Sequence, residues 1–307
     1  MLAQRIPREY LYGVALVVLA TCGWSLAGLF VRRLPGLDGW QINTWRGLSV
    51  GVALLAYLIV LYGRQTAARF RDIPPFAMLA CAAFFSLGST LYVTSLTLTS
   101  TANVSSIGAA APIFTALLST AVLREKPGPA TWLATFMALA GVTVIMHAGL
   151  TAGGWAGNLA AILTALCFAG QTITLRRYAS IDMVPAVCVG GLATFVLAGV
   201  VGGGFAVPRD AILVLALMGL VQLAIPLILF AKGARYVPAV ALTLLALLDV
   251  VLNPFWAWLG AGEAPELAGV IGGSIILGAA ALSVVAGRRM AARAPISAPA
   301  SACGCDG

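Results

Sequence analysis

The sequence predicts an all-α membrane protein of ten transmembrane helices, arranged as two inverted repeats of five helices each. Three observations predict this fold class: an almost uniformly apolar composition, apolar runs that match the thickness of a bilayer, and a similarity between the two halves of the chain. Hydrophobic residues make up 61% of the 307 residues and charged residues 9%, with a mean hydropathy of +1.00. Too few polar residues are present to cover a soluble domain of this size.

Apolar runs of membrane-spanning length follow one another along the chain, and short loops between them carry nearly all the charge. A helix needs about 20 apolar residues to cross a bilayer core that is about 30 Å thick. Runs of this length are too long for barrel strands, and a helix satisfies every backbone hydrogen bond internally. The ten predicted spans are residues 11–31, 42–62, 76–97, 103–123, 130–149, 155–175, 184–205, 210–231, 238–258 and 266–286.

The basic residues predict the orientation of these spans. With the N-terminus in the cytoplasm, 14 of the 18 basic residues fall on the cytoplasmic side and only Arg32, Arg33 and Arg209 on the outer side. This positive-inside bias predicts that both termini are cytoplasmic. The preference for Arg over Lys is typical of a GC-rich bacterial genome, so we expect a bacterial inner membrane. The net charge of +8 then reflects topology and contact with anionic lipids, and no nucleic-acid partner is expected.

The two ends of the chain lie outside the predicted spans. Residues 1–10 are expected to form a cytoplasmic N-terminus, since the run that follows is too long for the core of a signal peptide. Residues 288–307 are rich in Ala, Pro and Ser and are expected to be disordered. The tail carries Cys303 and Cys305, but two thiols without further ligands make a poor metal site. We therefore predict no metal and no cofactor.

The chain is similar to itself at a nearly constant offset. Five helices per copy is an odd number, so the second copy must enter the membrane from the opposite side. Residues 11–149 and 150–287 are therefore predicted to be inverted repeats, an arrangement typical of secondary transporters. The matched pairs include Gly13 with Gly157 and Trp24 with Phe168 at an offset of 144 residues, and Tyr92 with Phe230 and Leu96 with Ala234 at an offset of 138.

The fourth helix of each repeat resembles a signature of the EamA family of the drug/metabolite transporter superfamily. The first is Ala111-Pro112-Ile113-Phe114 followed by Leu123-Arg124-Glu125, and the second is Leu248-Asp249-Val250 through Asn253-Pro254-Phe255-Trp256 to Gly262-Glu263. The resemblance implies ten helices in inverted repeats and export of amino acids or other small metabolites, as in the YddG-type exporters. Val250 stands where many members carry Pro, so Pro254 predicts a helix break shifted by one turn.

Two charged residues within the predicted spans are candidates for function, because such residues are costly in a membrane. Asp249 lies near the middle of the ninth run and would take up a coupling proton or pair with a substrate amine. The alternative is a hydrogen-bonded Asp that ties helices together. Arg46 lies one turn inside the second run and would bind a substrate carboxylate through a bidentate contact. The alternative for Arg46 is snorkelling to the headgroups or capping of carbonyls.

Uncharged polar and aromatic side chains in the spans predict a small wet cavity. Gln has no reason to face lipid, and a cavity of small polar groups with a few aromatics suits a small zwitterion. The alternative for each residue is a hydrogen bond between helices, worth about 0.6 kcal/mol in a membrane. The expected substrate-binding residues are Trp24, Ser89, Tyr92, Gln171, Gln222 and Asn253.

These observations predict a secondary-active transporter that exports small polar metabolites, with amino acids favoured, by alternating access. Its partners would be the substrate, a coupling proton if Asp249 titrates, and membrane lipids, and it would act as a monomer or homodimer. A carrier of nucleotide sugars, lipids or organic cations on the same fold is the main alternative. An intramembrane enzyme is less favoured because Asp249 has no second intramembrane Asp and no His/Glu cluster is present. We therefore predict no catalytic residues.

Overall fold

The computed structural model of the chain describes residues 8–31, 33–34, 36–99, 101–146, 154–261 and 267–291. Within these ranges the regular structure is helical, and ten helical segments follow one another in the order that the apolar runs predict. Segment 1 consists of α1 (Arg8–Trp24) and α2 (Ala27–Val31), and segment 2 of α3 (Gly39–Tyr62) and α4 (Thr66–Arg71). Segment 3 is the single helix α5 (Pro75–Leu98). Segment 4 consists of α6 (Thr101–Gly108), α7 (Ala111–Leu118) and a π-turn (Ser119–Leu123), and segment 5 is the single helix α8 (Pro129–Met146). Segments 6 and 7 are the single helices α9 (Trp155–Arg177) and α10 (Val184–Gly202). Segment 8 consists of α11 (Arg209–Leu217), a π-turn (Met218–Ala224) and α12 (Ile225–Gly233). Segment 9 consists of α13 (Ala239–Ala246) and α14 (Leu248–Ala261), and segment 10 is the single helix α15 (Leu267–Ala291).

Length and hydropathy qualify most of these segments as membrane spans. Among the described residues, eight helices are long and apolar enough to cross a bilayer. Two further apolar helices, Pro129–Ile145 and Ala239–Leu252, are shorter and belong to segments 5 and 9. The prediction of a helical membrane protein with many spans is thus confirmed, while a count of ten spans stays a prediction.

Segments 4 and 9 are both interrupted near their middles. In segment 4 the α-helix ends at Gly108 and restarts at Ala111. Pro112 has no N–H to give to the carbonyl of Gly108, which weakens the helix at this point. In segment 9 the interruption falls at Leu247, which the offset of 138 residues pairs with Ala109. Both breaks therefore occupy the same place in the two halves.

The sequence-based prediction for the second break was wrong. Pro254 was expected to move the break one turn further along, but α14 runs through Pro254 and the break comes before Asp249. The hydroxyl of Thr21 on a neighbouring helix lies 3.4 Å from the carbonyl of Leu245 at this break, while its shorter hydrogen bond, at 2.9 Å, goes to the carbonyl of Val17 on its own helix. At the break the N–H of Leu247 donates to the carbonyl of Leu244 at 3.2 Å, and the carbonyl of Leu247 accepts from the N–H of Val250 at 3.1 Å, so bonds of 3₁₀ type join the two helices. Asp249 consequently lies in the first turn of α14, where the helix dipole favours negative charge.

Several contacts between segments have a counterpart when the two halves are exchanged. Segment 2 packs on segment 7 and segment 5 on segment 10, while the contact of segment 3 with segment 6 has a counterpart in the contact of segment 8 with segment 1. Close approaches repeat in the same way: Gly13 lies against Tyr236 and Val237, and Gly157 lies against Leu98 and Thr99. Gly23 likewise abuts Pro226, as Cys167 abuts Gly88. In each case the two sequence offsets convert the contact in one half into its counterpart in the other.

Candidate functional site

Arg46, Asn43 and Ser89 form a polar cluster between segments 2 and 3. The Oδ1 atom of Asn43 accepts hydrogen bonds from Ser89 Oγ at 2.6 Å and from Arg46 Nη2 at 3.1 Å. Arg46 Nη2 also reaches Ser89 Oγ at 3.5 Å. The guanidinium is thus held by side chains of two helices, whereas snorkelling to headgroups was an alternative from the sequence.

A well-formed helix start places Arg46 in this cluster. Asp38 and Gln41 form a capping box at the beginning of α3, with Asp38 Oδ1 accepting from Gln41 N at 2.7 Å and Gln41 Oε1 accepting from Asp38 N at 3.0 Å. The side chains of Gln41 and Trp45 then donate to the carbonyls of Ala206 and Phe205 at 2.6 and 3.1 Å. These bonds fix the first two turns of α3 against the loop that follows segment 7.

Some donors in the cluster lack an acceptor. Asn43 Nδ2 and Arg46 Nε are both buried, and within the described part of the chain neither has a hydrogen-bond partner. Buried polar groups in proteins are nearly always hydrogen-bonded, and unsatisfied ones are found where a ligand or water binds. The cluster therefore presents unused N–H groups on neighbouring turns of α3.

Tyr92 connects this cluster to Asp249. Tyr92 lies one turn beyond Ser89 on α5, and its phenol interacts electrostatically with both Arg46 and Asp249. Arg46 shows the same interaction with Tyr92. Of the residues predicted from the sequence, Arg46 and Ser89 are thus joined by hydrogen bonding, and Tyr92 interacts electrostatically with Arg46 and with Asp249.

Gln222 and Trp24 form a second polar contact, between segments 8 and 1. Gln222 Nε2 donates to the carbonyl of Trp24 at 3.2 Å, and Gln222 Oε1 is buried without a partner among the described residues. Gln222 lies in a π-turn that ends just before Pro226. Because Pro226 cannot donate to the carbonyl of Gln222, the α-helical ladder is interrupted there, and π-turns of this kind occur often at functional sites.

Trp24 packs with two other aromatic rings, those of Phe168 and Phe230. The ring of Trp24 lies 5.1 Å from Phe230 and 6.3 Å from Phe168, and these two Phe rings are 6.0 Å apart. Trp24 and Phe168 are a pair that the repeat offset relates, so the contact joins equivalent positions of the two halves.

Two predicted residues are not joined to these groups. Gln171 on α9 is buried, at 7% exposure, and no hydrogen bond links it to either polar group among the described residues. Asn253 belongs to α14, but its side chain lies outside the described part of the structure.

A network that sequence reasoning missed ties together the ends of segments 4, 6 and 8. Glu125 Oε1 accepts from Arg176 Nε at 3.0 Å, and Glu125 Oε2 accepts from the backbone N–H of Ala239 at 3.3 Å. Arg176 Nη1 donates in turn to the carbonyls of Ala234 and Arg235 at 3.0 and 2.9 Å. Glu125 thereby caps α13, which begins after Pro238 without a side-chain cap of its own.

The same network lines an open cavity of about 560 Å³ with Val122, Leu123, Arg177 and Tyr178. Arg177 Nη1 closes one edge by donating to the carbonyl of Val122 at 2.9 Å. The sequence held two signals for these contacts, since Glu125 ends the first EamA-like signature and Arg176 follows the sixth run. Nothing in their spacing showed that the two would meet, because 50 residues separate them along the chain.

Asn43 is the other functional candidate that was not selected from the sequence. Its signal was its position one turn before Arg46, which places both side chains on one face of α3. As for metals, the described residues contain no group of three or more His, Cys, Asp or Glu side chains that could hold an ion.

Fold and site together define a membrane protein of many helices with charged and hydrogen-bonding side chains held between its segments, as expected of a transporter. A family model described as EamA-like transporter family matches residues 11–147 and again residues 153–285. The chain therefore belongs to the EamA-like transporter family, which confirms the resemblance seen in the two signatures. It acts in a membrane on a small-molecule substrate, and the family indicates a transporter and not an enzyme.

Known relatives agree with this assignment. The chain is 27% identical over 267 residues to the uncharacterized transporter YdfC of Bacillus subtilis (strain 168), covering 82% of this chain and 86% of that protein. It is 26% identical over 288 residues to a riboflavin transporter of Rhizobium johnstonii, covering 89% of this chain and 91% of that protein. A protein of known crystal structure shares the fold with a TM-score of 0.77 at 20% identity, covering 91% of this chain and 98% of that one.

Proposed function

We propose that this protein is a secondary-active transporter that exports small polar metabolites, amino acids first among them, across the bacterial inner membrane. The observation that carries the proposal is the cluster of Arg46, Asn43 and Ser89, which lies between two helices. Tyr92 interacts electrostatically with Arg46 and with Asp249. A cation with unused hydrogen-bond donors beside it, and an acid that interacts with the same phenol, suit a small zwitterion.

The duplicated contacts support alternating access between inverted repeats. Gly13 and Gly157 make equivalent contacts, as do Gly23 and Cys167, and the family model matches the two halves separately. The helix breaks at Ala109 and Leu247 lie at equivalent positions. Discontinuous helices at a repeat interface are the usual surroundings of a transporter's substrate site.

The network around Glu125 supports a closed state on one side. With the topology that the basic residues predict, Glu125, Arg176 and Ala239 lie at the cytoplasmic ends of their segments. The carboxylate joins the first repeat to two places in the second repeat, so any movement that opens this side must break those bonds. We propose that this network is the cytoplasmic gate.

Topology can be tested with thiols that the chain already carries. Cys303 and Cys305 lie in the tail, while the other four cysteines lie inside helical segments. In intact cells whose outer membrane has been permeabilised, a membrane-impermeant maleimide should leave the tail unlabelled until the inner membrane is opened. Labelling before that step would place the C-terminus outside and remove the basis for an even number of spans.

A flat aromatic metabolite is a second candidate substrate. The relative from Rhizobium johnstonii is named a riboflavin transporter, and the rings of Trp24, Phe168 and Phe230 meet at the interface of the halves. Aromatic rings could stack on a planar ligand if they separated during the transport cycle. In this structure the three rings pack on one another, which is why we rank this candidate second.

Counterflow in proteoliposomes decides between these substrates. Vesicles preloaded with one unlabelled solute receive a trace of the labelled form, for a panel of amino acids, riboflavin, nucleotide sugars and organic cations. We expect accumulation of labelled amino acids above the level of protein-free vesicles. Accumulation of riboflavin alone would favour the second candidate, and counterflow at the protein-free level for every solute would contradict the proposal.

A further inference from the structure

We infer that Arg46 and Asn43 form a carboxylate-binding subsite, so that the transported substrates carry a carboxylate and α-amino acids are the class that fits. This inference rests on the proposed function and narrows its substrate.

The first argument is a surplus of hydrogen-bond donors. Asn43 Oδ1 already accepts from Ser89 Oγ and Arg46 Nη2, and an amide oxygen has only two lone pairs. The groups left over are Asn43 Nδ2 and Arg46 Nε, both buried and without an acceptor among the described residues. A ligand that satisfies them must bring acceptor atoms, and an ionised carboxylate carries acceptors only.

The second argument is charge. A guanidinium is always protonated in proteins, and the partners that bond Arg46 here, Asn43 and Ser89, are neutral. A cation held within a membrane span is costly and is usually kept for a function. The two oxygens of a carboxylate match the fork of a guanidinium and would neutralise it.

Competing ligand chemistries fit less well. A phosphate with two negative charges would call for a second cation, but Arg46 is the one basic residue that the sequence places well inside a predicted span. Riboflavin is uncharged and would leave the guanidinium without a counter-charge. A singly charged carboxylate therefore matches the charge that this cluster offers.

The third argument concerns the other end of the substrate. The phenol of Tyr92 interacts electrostatically with Arg46 and also with Asp249, so a positive and a negative group both lie within range of one ring. An amino acid bound with its carboxylate at Arg46 would direct its ammonium group toward Tyr92, whose phenol also interacts with Asp249. This arrangement explains why an amino acid fits better than a simple carboxylic acid.

The test compares each acid with its amide. L-Leucine and L-phenylalanine are matched by L-leucinamide and L-phenylalaninamide, which keep the ammonium group and side chain but lack the carboxylate. Concentrations that inhibit counterflow of the labelled amino acid are measured for wild type, Arg46→Gln and Asn43→Asp. Arg64→Gln, a change at an exposed arginine just beyond α3, is the matched control.

We expect wild type and Arg64→Gln to prefer the acid by about tenfold or more, because a site that bonds a polar group rejects the analogue lacking it. Arg46→Gln should reduce the preference to about threefold or less by removing the charge. Asn43→Asp is nearly isosteric and places a carboxylate next to the guanidinium, so it should compete with the ligand and reduce the preference in the same way. It also keeps the test decisive if Arg46→Gln does not fold.

Contrary results would be equally clear. A tenfold preference that persists in a folded Arg46→Gln or Asn43→Asp protein would overturn the inference. Equal inhibition of wild type by acid and amide would overturn it too, while leaving the proposed transport of small metabolites intact. If wild type shows no counterflow with any solute, the proposed function fails, and stabilisation of purified protein against heat by the acids but not the amides then decides the carboxylate question separately.

Discussion

Gly47 and Gly191 face each other where segment 2 crosses segment 7. A Cβ atom on Gly47 would lie 3.0 Å from the carbonyl oxygen of Gly191, and a Cβ atom on Gly191 would lie 3.1 Å from the carbonyl oxygen of Gly47. The same offset of 144 residues that pairs Gly13 with Gly157 pairs these two glycines. The backbones of the two halves are thus in contact at equivalent positions.

This crossing should not tolerate a methyl group. We expect Gly47→Ala to destabilise the protein by about 1–3 kcal/mol, because the neighbours of the new Cβ are mainly backbone atoms that cannot move aside. Gly269→Ala is the control, since a Cβ on that helical glycine meets nothing within 4 Å among the described residues. Melting of the purified proteins should show a lower midpoint for Gly47→Ala alone. Equal midpoints for both variants would show that the helices are not so closely packed.

Loss of the Glu125 carboxylate should shift the proposed cytoplasmic gate toward its open form. A partly buried ion pair of this kind is worth about 1 kcal/mol, so Glu125→Gln should raise the population of the open form about fivefold. Ser119 is fully buried and lines a small cavity with Glu125, so a cysteine introduced there reports opening through its maleimide labelling rate.

Asp72→Asn provides the comparison for this variant. It removes an exposed ion pair with Arg69, three residues away at the end of segment 2. This pair does not connect two segments. The labelling rate at position 119 should stay at the wild-type value in Asp72→Asn, measured in a background without other cysteines. An unchanged rate in Glu125→Gln would mean that the network does not hold the gate closed.

Arg124 adopts a left-handed backbone conformation, with φ of 57° and ψ of 20°, where it ends the π-turn of segment 4. This conformation costs about 1–2 kcal/mol for a residue with a Cβ and little for glycine. Arg124→Gly should therefore be more stable than Arg124→Ala by about 1 kcal/mol, although both variants remove the same charge. Thermal unfolding in detergent measures the difference, and a more stable Ala variant would argue against the turn.

Asp249→Asn should abolish transport driven by a pH gradient while leaving expression and folding unchanged. Asparagine keeps the shape and most hydrogen bonds of aspartate but cannot titrate. Asp210→Asn is a close control, because Asp210 also occupies the second position of a helix, α11, but is exposed. Uptake into proteoliposomes across a range of imposed pH differences measures the effect. Normal transport by Asp249→Asn across that range would make Asp249 a structural residue.

Sequence alone determined the class of this protein and the location of its helices. Apolar length is set by the thickness of a bilayer, and the backbone has no partner there other than itself, so hydropathy is enough to place the ten helical segments in order. The repeat could also be predicted, since equivalent positions such as Gly13 and Gly157 keep the same residue where helices touch.

The tertiary structure decided which polar groups meet. Arg46 and Ser89 lie on different helices, and only helix packing brings Ser89 to the Asn43 amide that also binds the guanidinium. Glu125 binds Arg176 in the other half of the chain, and Gln222 donates to the carbonyl of Trp24 on the first helix. Hydropathy and spacing describe each helix by itself, whereas a hydrogen bond depends on the position and rotation of two helices, which packing across the whole bundle sets.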